Sequence, residues 1–171
     1  MRSQILTELQ PPHLGGLVPR LTKIPRPPAG VGVALAAVQI DRLYKVVVVR
    51  NNYDNKEDHE FTVFINPTVT KFEGEIKEDF EGCLSVPNIY GKVPRHTKVR
   101  VKALSLAGKE FRVTAEGFLA RIFQHEIDHC SGIVFIDHIK DSPEAFYRLD
   151  EDGKLKELDY TRDVENNPIL W

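Results

Sequence analysis

The chain has 171 residues, of which 42% are apolar and 28% are charged, and its formal net charge is −2. This length predicts a single domain spanning residues 1–171 that can bury a core without disulfides. The near balance of 23 Lys and Arg against 25 Asp and Glu argues against a dedicated nucleic-acid binder. No apolar run approaches the length that a membrane helix needs. We therefore expect a globular domain with neither a specific nucleic acid nor a membrane as its partner.

The first part of the chain, residues 1–29, is rich in proline and glycine. Proline lacks an amide donor and clashes inside a helix, so we expect an irregular segment in which a short helix fits only near residues 3–9. It contains no apolar stretch followed by a small-residue cleavage site, which argues against a secretory signal. Two cysteines, Cys83 and Cys130, are too few for a secreted disulfide scaffold. These features predict a cytoplasmic protein with reduced thiols.

The middle of the chain reads as β-strands. Residues 44–50 are β-branched and continuous, and residues 61–65 form a second run that ends at Asn66 and Pro67. The polar residues 51–60 between them are typical of a hairpin loop. Residues 69–77 resemble an edge strand.

Two further strands are predicted to pair through a tight turn. Residues 98–103 alternate cationic and apolar side chains, which places one face on the core and the other in water. Residues 107–109 contain the turn, and residues 110–115 return beside the first strand. An antiparallel pairing of these two segments follows from the short connection.

The hydrophobic period then changes to that of a helix. Apolar side chains recur at helical spacing over residues 118–130, with Gly117 before them and Gly132 after them, where a left-handed cap would lie. Strands followed by one apolar helix predict an α+β fold in which antiparallel β-sheets pack around a central helix. Acidic side chains outnumber basic ones over residues 141–171, which predicts a solvated, acidic C-terminal tail.

The sharpest chemical signal is the sequence HEIDH at residues 125–129 of this helix. His125 and His129 are four residues apart, so both imidazoles stand on one face and can bind one divalent metal. Glu126 lies beside the same site and can move a proton from an activated water to a leaving group. The alternative interpretation is a pair of structural histidines in the core. Burying two histidines and an acid without a metal is costly, which favours the metal site.

The spacing of residues alone does not identify the third metal ligand. Phe135 occupies the position at which metzincin proteases carry a third histidine, so that class is disfavoured. Gluzincins use a later glutamate, and the acidic tail offers Glu144, Glu151 and Glu157. Cys83 is the other candidate, because a thiolate with two imidazoles leaves a fourth position open for water. For Cys83 alone, a small buried side chain is an equally good interpretation.

Three segments in order resemble the signature motifs of the peptide deformylase family. Residues 81–85 read EGCLS, residues 124–129 read QHEIDH, and residues 35–39 read LAAVQ. The first two match the family motifs throughout, the third matches the end of the GxGLAAxQ motif, and the resemblance covers about residues 30–140. It implies a peptide-deformylase-like fold and an enzyme that removes the formyl group from the N-terminal formyl-methionine of nascent polypeptides.

The resemblance also implies a role for particular residues. Cys83, His125 and His129 would hold the metal, which is most often Fe(II) in this family, with zinc, nickel or cobalt also accepted. Glu126 would be the general acid and base. Gln39, through its side-chain amide, and Leu84, through its backbone amide, would stabilise the oxyanion. We expect formyl-Met nascent peptides, and through them the ribosome, as partners of a monomeric enzyme.

The chain departs from the family pattern near its N-terminus. Ala34 stands where the second glycine of the first motif belongs, unless Gly30 and Gly32 form the pair and two residues are inserted. The helix that the family places before this motif has no counterpart in the proline-rich segment. Two rival functions therefore stay open: a non-catalytic or weakly active peptide-binding protein, and a different HExxH metallopeptidase.

Other reactive side chains receive structural interpretations. We expect Cys130 to be a core side chain, because it lies about 100° around the helix from His129. Asp128 is predicted to make a structural ion pair or hydrogen bond rather than to bind metal. Arg95 can pair with the substrate backbone or with an acidic residue of the fold, and we favour the role in the fold. The remaining histidines are predicted to lie at the surface: His13, His59, His96 and His138.

Overall fold

The computed structural model describes residues 17–21, 32–52, 55 and 60–167. These residues divide into two compact units. Unit 1 draws on Met1–Glu75 and His96–Ile133, and unit 2 draws on Ile76–Arg95 and Val134–Trp171. None of the described helices is long and apolar enough to cross a membrane. The organisation of the whole chain as one domain stays a prediction.

Unit 1 is built on antiparallel strands. The strands are β1 (Ala34–Ala36), β2 (Val46–Arg50), β3 (Phe61–Cys83), β4 (Val86–Leu104) and β5 (Glu110–Glu116), and the part of β3 beyond Glu75 and the part of β4 before His96 belong to unit 2. β2 pairs antiparallel with both β1 and β3, β4 pairs antiparallel with β5, and β3 and β4 are neighbours in the sheet. The predicted pairing of residues 98–103 with residues 110–115 is confirmed, and Gly108 turns the chain between them with a φ of 74°.

The predicted end of the strand that begins at residue 61 is wrong. β3 does not stop at Ile65 but continues through Asn66 and Pro67 to Cys83, so residues 69–77 belong to the same strand. Asn66 has a φ of 50°, a left-handed conformation that asparagine tolerates better than most residues. The two turn-forming residues are therefore accommodated within one continuous strand.

The helix α2 (Gly117–His129) packs its apolar side against the strands of unit 1. Its Ala120 and Phe123 pack with Ala36, Phe64 and Val99 from the strands. Gly132 has a φ of 73° just beyond the helix, as the sequence predicts. The extent of this helix and its glycine signals are confirmed.

A short helix also occurs in the proline-rich N-terminal segment, but not where it was expected. α1 spans Val18–Leu21, whereas residues 3–9 lie outside the described residues. Leu17 and Leu21 are buried with apolar side chains of the strands. The sequence does not predict this turn because proline breaks the interior of a helix, whereas Pro19 stands in the first turn, where proline is tolerated.

Unit 2 forms a second core. The end of β3 and the start of β4 combine with β6 (Phe146–Leu149), which pairs with β4, and with β7 (Leu155–Glu157), which pairs with β6. A 3-10 turn at Phe135–His138 lies before β6. The buried side chains are apolar: Val86, Ile89, Val93, Phe135, Ile136, Ile139, Phe146 and Val164.

The expectation of a solvated acidic tail is wrong for part of residues 141–171. Phe146 and Val164 are fully buried, because isolated apolar residues within this charged stretch pack into the core of unit 2. Most of the charged residues around them are exposed, whereas Asp150 and Asp163 are half-buried. The acidic net charge of the segment predicts its solvent-exposed face. It does not reveal which apolar residues of the segment are buried.

Candidate metal centre

Two histidines of α2 form the first part of the site. His125 and His129 lie one helical turn apart, and their Nε2 atoms are 3.2 Å from each other. Their rings are nearly perpendicular, at 89°. His129 is buried and His125 is half-buried. Both Nε2 atoms therefore point toward one place.

Cys83 supplies the third ligand atom at the end of β3. Its side chain packs at the margin of the core of unit 2, and its sulfur accepts a hydrogen bond from the Ser85 amide at 3.4 Å. The sulfur of Cys83 and the ring nitrogens of His125 and His129 all lie within 4.8 Å of one another. The structure therefore brings the three predicted ligands together in a group that can hold a metal ion.

The donor set and its spacing fit a divalent transition metal. Two imidazole nitrogens bound tetrahedrally to one ion are separated by about 3.3 Å, given bonds of about 2.0–2.1 Å. The observed 3.2 Å between the two Nε2 atoms is close to that value. One thiolate with two imidazoles suits zinc or ferrous iron better than magnesium or calcium, and three protein ligands leave a position open for catalysis.

The competing ligands named from the sequence do not join the group. Within the described part of the chain, Glu144, Glu151 and Glu157 are not in the cluster. Cys130 is not in it either. It is 2% exposed and packs in the core of unit 1. Burial, reinforced by the Glu126 carboxylate, raises the pKa of the Cys130 thiol to about 12. Cys130 therefore remains a neutral thiol, and its prediction as a core side chain is confirmed.

Glu126 follows the first histidine on α2 and is buried, with 6% of its surface exposed. It neighbours a ligand in sequence on the same helix and lies outside the ligand group. Its catalytic role stays a prediction.

Gln39 lies in the 3-10 turn Ala37–Ile40 that follows β1. Its Oε1 accepts a hydrogen bond from the Ala36 amide at 2.9 Å. Because the oxygen is held in this way, the NH2 group is the end of the side chain that turns away from Ala36. This orientation supports the prediction that Gln39 acts as a hydrogen-bond donor.

Leu84 occupies the turn between β3 and β4, directly after Cys83, and its side chain is 51% exposed. An exposed leucine contributes little to the core, and the function predicted for this position rests on its backbone amide. The role of that amide as an oxyanion donor stays a prediction.

The altered first motif adopts an ordinary backbone. Ala34 lies in β1, opposite Val49, and is not among the described residues with a positive φ. Alanine therefore causes no backbone strain at this position. Gly30 lies outside the described residues.

Two buried polar residues make positioning contacts, and that of Gln124 is not assigned from the sequence. Gln124 is buried and exchanges two hydrogen bonds with the backbone of His96, at 3.1 and 2.9 Å, and donates to the Ala120 carbonyl at 2.9 Å. Arg95 forms a two-point ion pair with Glu81, at 2.9 and 3.1 Å, which confirms its predicted role in the fold. A polar residue within an apolar helical stripe is the signal that could have identified Gln124.

The predictions for the remaining histidines have mixed outcomes. His138 is exposed, as predicted, and contacts Arg95. The surface assignment of His96 is wrong. That residue is half-buried, because its backbone is held by Gln124 and its ring packs on Phe72. His13 and His59 lie outside the described residues, and the ion-pair role of the Asp128 side chain stays a prediction.

Comparison with known proteins gives the family. The polypeptide deformylase model matches residues 6–144. A peptide deformylase of Thermomicrobium roseum is 44% identical over 132 residues, which cover 75% of this chain and 74% of that protein. One from Halothermothrix orenii is 51% identical over 109 residues, covering 63% and 67%. A peptide deformylase from Synechococcus elongatus, solved with actinonin, superimposes with a TM-score of 0.59 at 34% identity over 63% of this chain and 58% of its own. The chain belongs to the peptide deformylase family.

Proposed function

We propose that this chain hydrolyses the formyl group from the N-terminal formyl-methionine of nascent polypeptides, releasing formate and a free amine. The observation that carries the proposal is the group formed by Cys83, His125 and His129, with Glu126 buried beside it on α2. The family assignment supplies the reaction class. The site supplies the ligands and a proton carrier that this reaction needs.

Proton transfer falls to Glu126. A divalent ion held by the three ligands would lower the pKa of water and polarise a carbonyl. The Glu126 carboxylate would take the proton from the attacking water and deliver it to the nitrogen of the leaving amine. Its burial strengthens this role, because a carboxylate removed from bulk water exchanges protons with the substrate rather than with solvent.

Charge on the carbonyl oxygen would be stabilised by two donors. The side-chain NH2 of Gln39 has its orientation set by the bond between Oε1 and the Ala36 amide. The backbone amide of Leu84 follows Cys83 directly. Donors fixed before the reaction stabilise the charge that develops in the transition state without reorganising.

The finer assignments belong to the same proposal. Fe(II) is the proposed metal in the cell, and zinc, nickel and cobalt would also bind this donor set. Formyl-Met peptides leaving the ribosome are the proposed partners of a monomeric, cytoplasmic enzyme. The participation of Cys83 favours this function over a different HExxH metallopeptidase, which would have no use for that thiolate. Glu126 favours it over a peptide-binding protein, which needs no proton carrier.

The test is formate release from a formyl-Met dipeptide by protein prepared without oxygen and loaded with Fe(II) or Ni(II). Glu126→Gln keeps the shape of the side chain and should lower the rate by about 10²–10⁴-fold while one metal stays bound. Glu116→Gln is the matched control, since Glu116 is the exposed N-cap residue of the same helix and pairs with Lys98. It should leave the rate unchanged.

The other possible outcomes distinguish the proposed function from its two rivals. A metal-loaded protein that releases no formate would contradict the proposal. Cleavage of internal peptide bonds would favour the metallopeptidase, and peptide binding without turnover would favour the non-catalytic protein.

A further inference from the structure

Unit 2 contains a buried charged network that includes Glu81, two residues before the ligand Cys83. Glu81 accepts from Arg95 Nε at 2.9 Å and from Arg95 Nη2 at 3.1 Å. Their side chains are only 4% and 5% exposed. The third guanidinium nitrogen of Arg95, Nη1, lies 3.3 Å from Nε2 of His138, at the end of the turn Phe135–His138. The network therefore joins β3, β4 and this turn.

Stability alone is a weak reason for such a network. A buried ion pair loses much of its hydration, and replacing it by apolar side chains of similar size is often neutral or stabilising. What the two-point pairing of a planar guanidinium with a carboxylate provides is a fixed orientation. A fixed orientation of this pair can in turn position a neighbouring side chain.

Glu81 and Cys83 project to the same side of β3, because they are two residues apart in an extended strand. Between them, Gly82 packs closely on Tyr90, and a Cβ at Gly82 would lie 2.7 Å from a ring carbon of that tyrosine. Beyond them, the Ser85 amide donates to the sulfur of Cys83. The backbone that carries the ligand is thus held on both sides of Cys83 and packed against β4.

We propose that Glu81, Arg95 and His138 form a positioning network that fixes the direction of the Cys83 sulfur toward the metal. The inference rests on the proposed function only in taking Cys83 as a metal ligand. Arg95 and His138 act through Glu81 and the strand rather than on the substrate. Groups that orient metal ligands in this way typically change metal affinity by 10–100-fold when they are altered.

The test uses Co(II) as the probe and the full chain as the protein. Thiolate ligation of Co(II) gives an absorption band that reports the bond to Cys83, and titration gives the affinity. Arg95→Lys keeps the charge but loses the two-point geometry. It should weaken Co(II) binding by about 10–100-fold and shift or reduce the thiolate band.

The matched control is Arg100→Lys. Arg100 also makes a two-point pair, with Glu73 at 2.6 and 3.3 Å, but it is exposed and belongs to unit 1. This variant should bind Co(II) as the unaltered protein does. A folded Arg95→Lys protein with unaltered affinity and an unaltered thiolate band would overturn the proposal.

His138 provides a second test that does not depend on the stability of the buried pair. It is exposed, so the fold should tolerate its replacement. His138→Ala should weaken Co(II) binding, whereas His138→Gln, which keeps an acceptor for Arg95, should restore it. If Arg95→Lys does not fold, unchanged Co(II) binding in His138→Ala overturns the proposal.

The Co(II) readout is independent of turnover. Absence of formate release from the unaltered protein would contradict the proposed function and leave the comparison of spectra valid. Absence of a thiolate band in the unaltered protein would overturn the positioning role itself.

Discussion

The two cysteines of this chain show how surroundings decide the chemistry of one side chain. Cys83 is half-buried, accepts a hydrogen bond from an amide and lies with two imidazoles. Cys130 is buried among apolar side chains, and burial raises its pKa to about 12. Thiolates bind metals and neutral thiols do so poorly. Only Cys83 is therefore suited to be a ligand.

This contrast predicts opposite results for the same substitution. Cys83→Ala should abolish stoichiometric metal binding, because it leaves two ligands. Cys130→Ala should keep one metal per chain but lower the free energy of unfolding by about 1 kcal/mol, through lost packing. Metal analysis after dialysis, together with urea unfolding, checks both results. Retention of a full metal complement by Cys83→Ala would contradict the ligand assignment.

At the residue scale, the sequence identifies the residues that carry the chemistry better than it identifies the contacts that position them. His125, Glu126 and His129 are identified by helical spacing, because four residues bring side chains to one face. Cys83 became the preferred third ligand only through the family resemblance, since no local period relates β3 to α2. The pairing of Glu81 with Arg95 depends on the register of two long strands, which single-sequence patterns do not fix.

At the scale of elements, Gln124 ties the metal-binding helix to the sheet of unit 1. Its amide makes three hydrogen bonds with the backbone of His96 and Ala120. Gln124→Ala would leave buried backbone groups of His96 without these partners, so the free energy of unfolding should fall by about 2–4 kcal/mol. Urea unfolding measures the loss.

Two comparisons make this result specific. Gln124→Glu keeps the acceptor for the His96 amide but places a carboxylate oxygen against the His96 and Ala120 carbonyls, so it should not restore stability. Thr114→Ala, on the exposed face of β5, should change stability by less than about 0.5 kcal/mol. A loss for Gln124→Ala no greater than this control would show that the amide does not anchor α2.

Element boundaries were predictable where local periodicity was strong and not where long-range pairing decides. The helix was found by its 3.6-residue period and its flanking glycines. β3 was divided in two, because Asn66 and Pro67 are turn-forming residues in isolation. In the folded chain this strand continues as a neighbour of β4, and that pairing outweighs the local turn preference of two residues.

At the scale of the whole molecule, exposed ion pairs set the response to acid. Hydrogen bonds from Lys71 and then from Arg100 lower the pKa of Glu73 to about 2, from its ordinary value of 4.5. A folded-state pKa below the unfolded value stabilises the fold above pH 4.5, and this contribution is lost as the pH falls from 4.5 toward 2. The pKa of Asp150, which accepts from Lys156, is also lowered.

Glu73→Gln should therefore make the loss of stability between about pH 6 and pH 3 smaller than in the unaltered protein. Because the partners Lys71 and Arg100 are exposed to solvent, the difference should be small and should shrink as the salt concentration is raised. Urea unfolding at both pH values and two salt concentrations checks the expectation. An equal loss in the two proteins would mean that Glu73 has the same pKa folded and unfolded.

Metal removal tests whether the site belongs to the folded molecule as a whole. A metal that binds only the folded state stabilises it by about 2.7 kcal/mol at a hundred times its Kd, which for a chain of this size raises Tm by roughly 5–10 °C. Thermal unfolding with Ni(II), before and after chelation, measures the shift. Cys83→Ala should show no shift, whereas Glu126→Gln should keep it, because its carboxylate is outside the ligand group. An identical Tm with and without metal in the unaltered protein would mean that Cys83, His125 and His129 do not form a folded-state site, since any ion held by their shared geometry must stabilise that geometry.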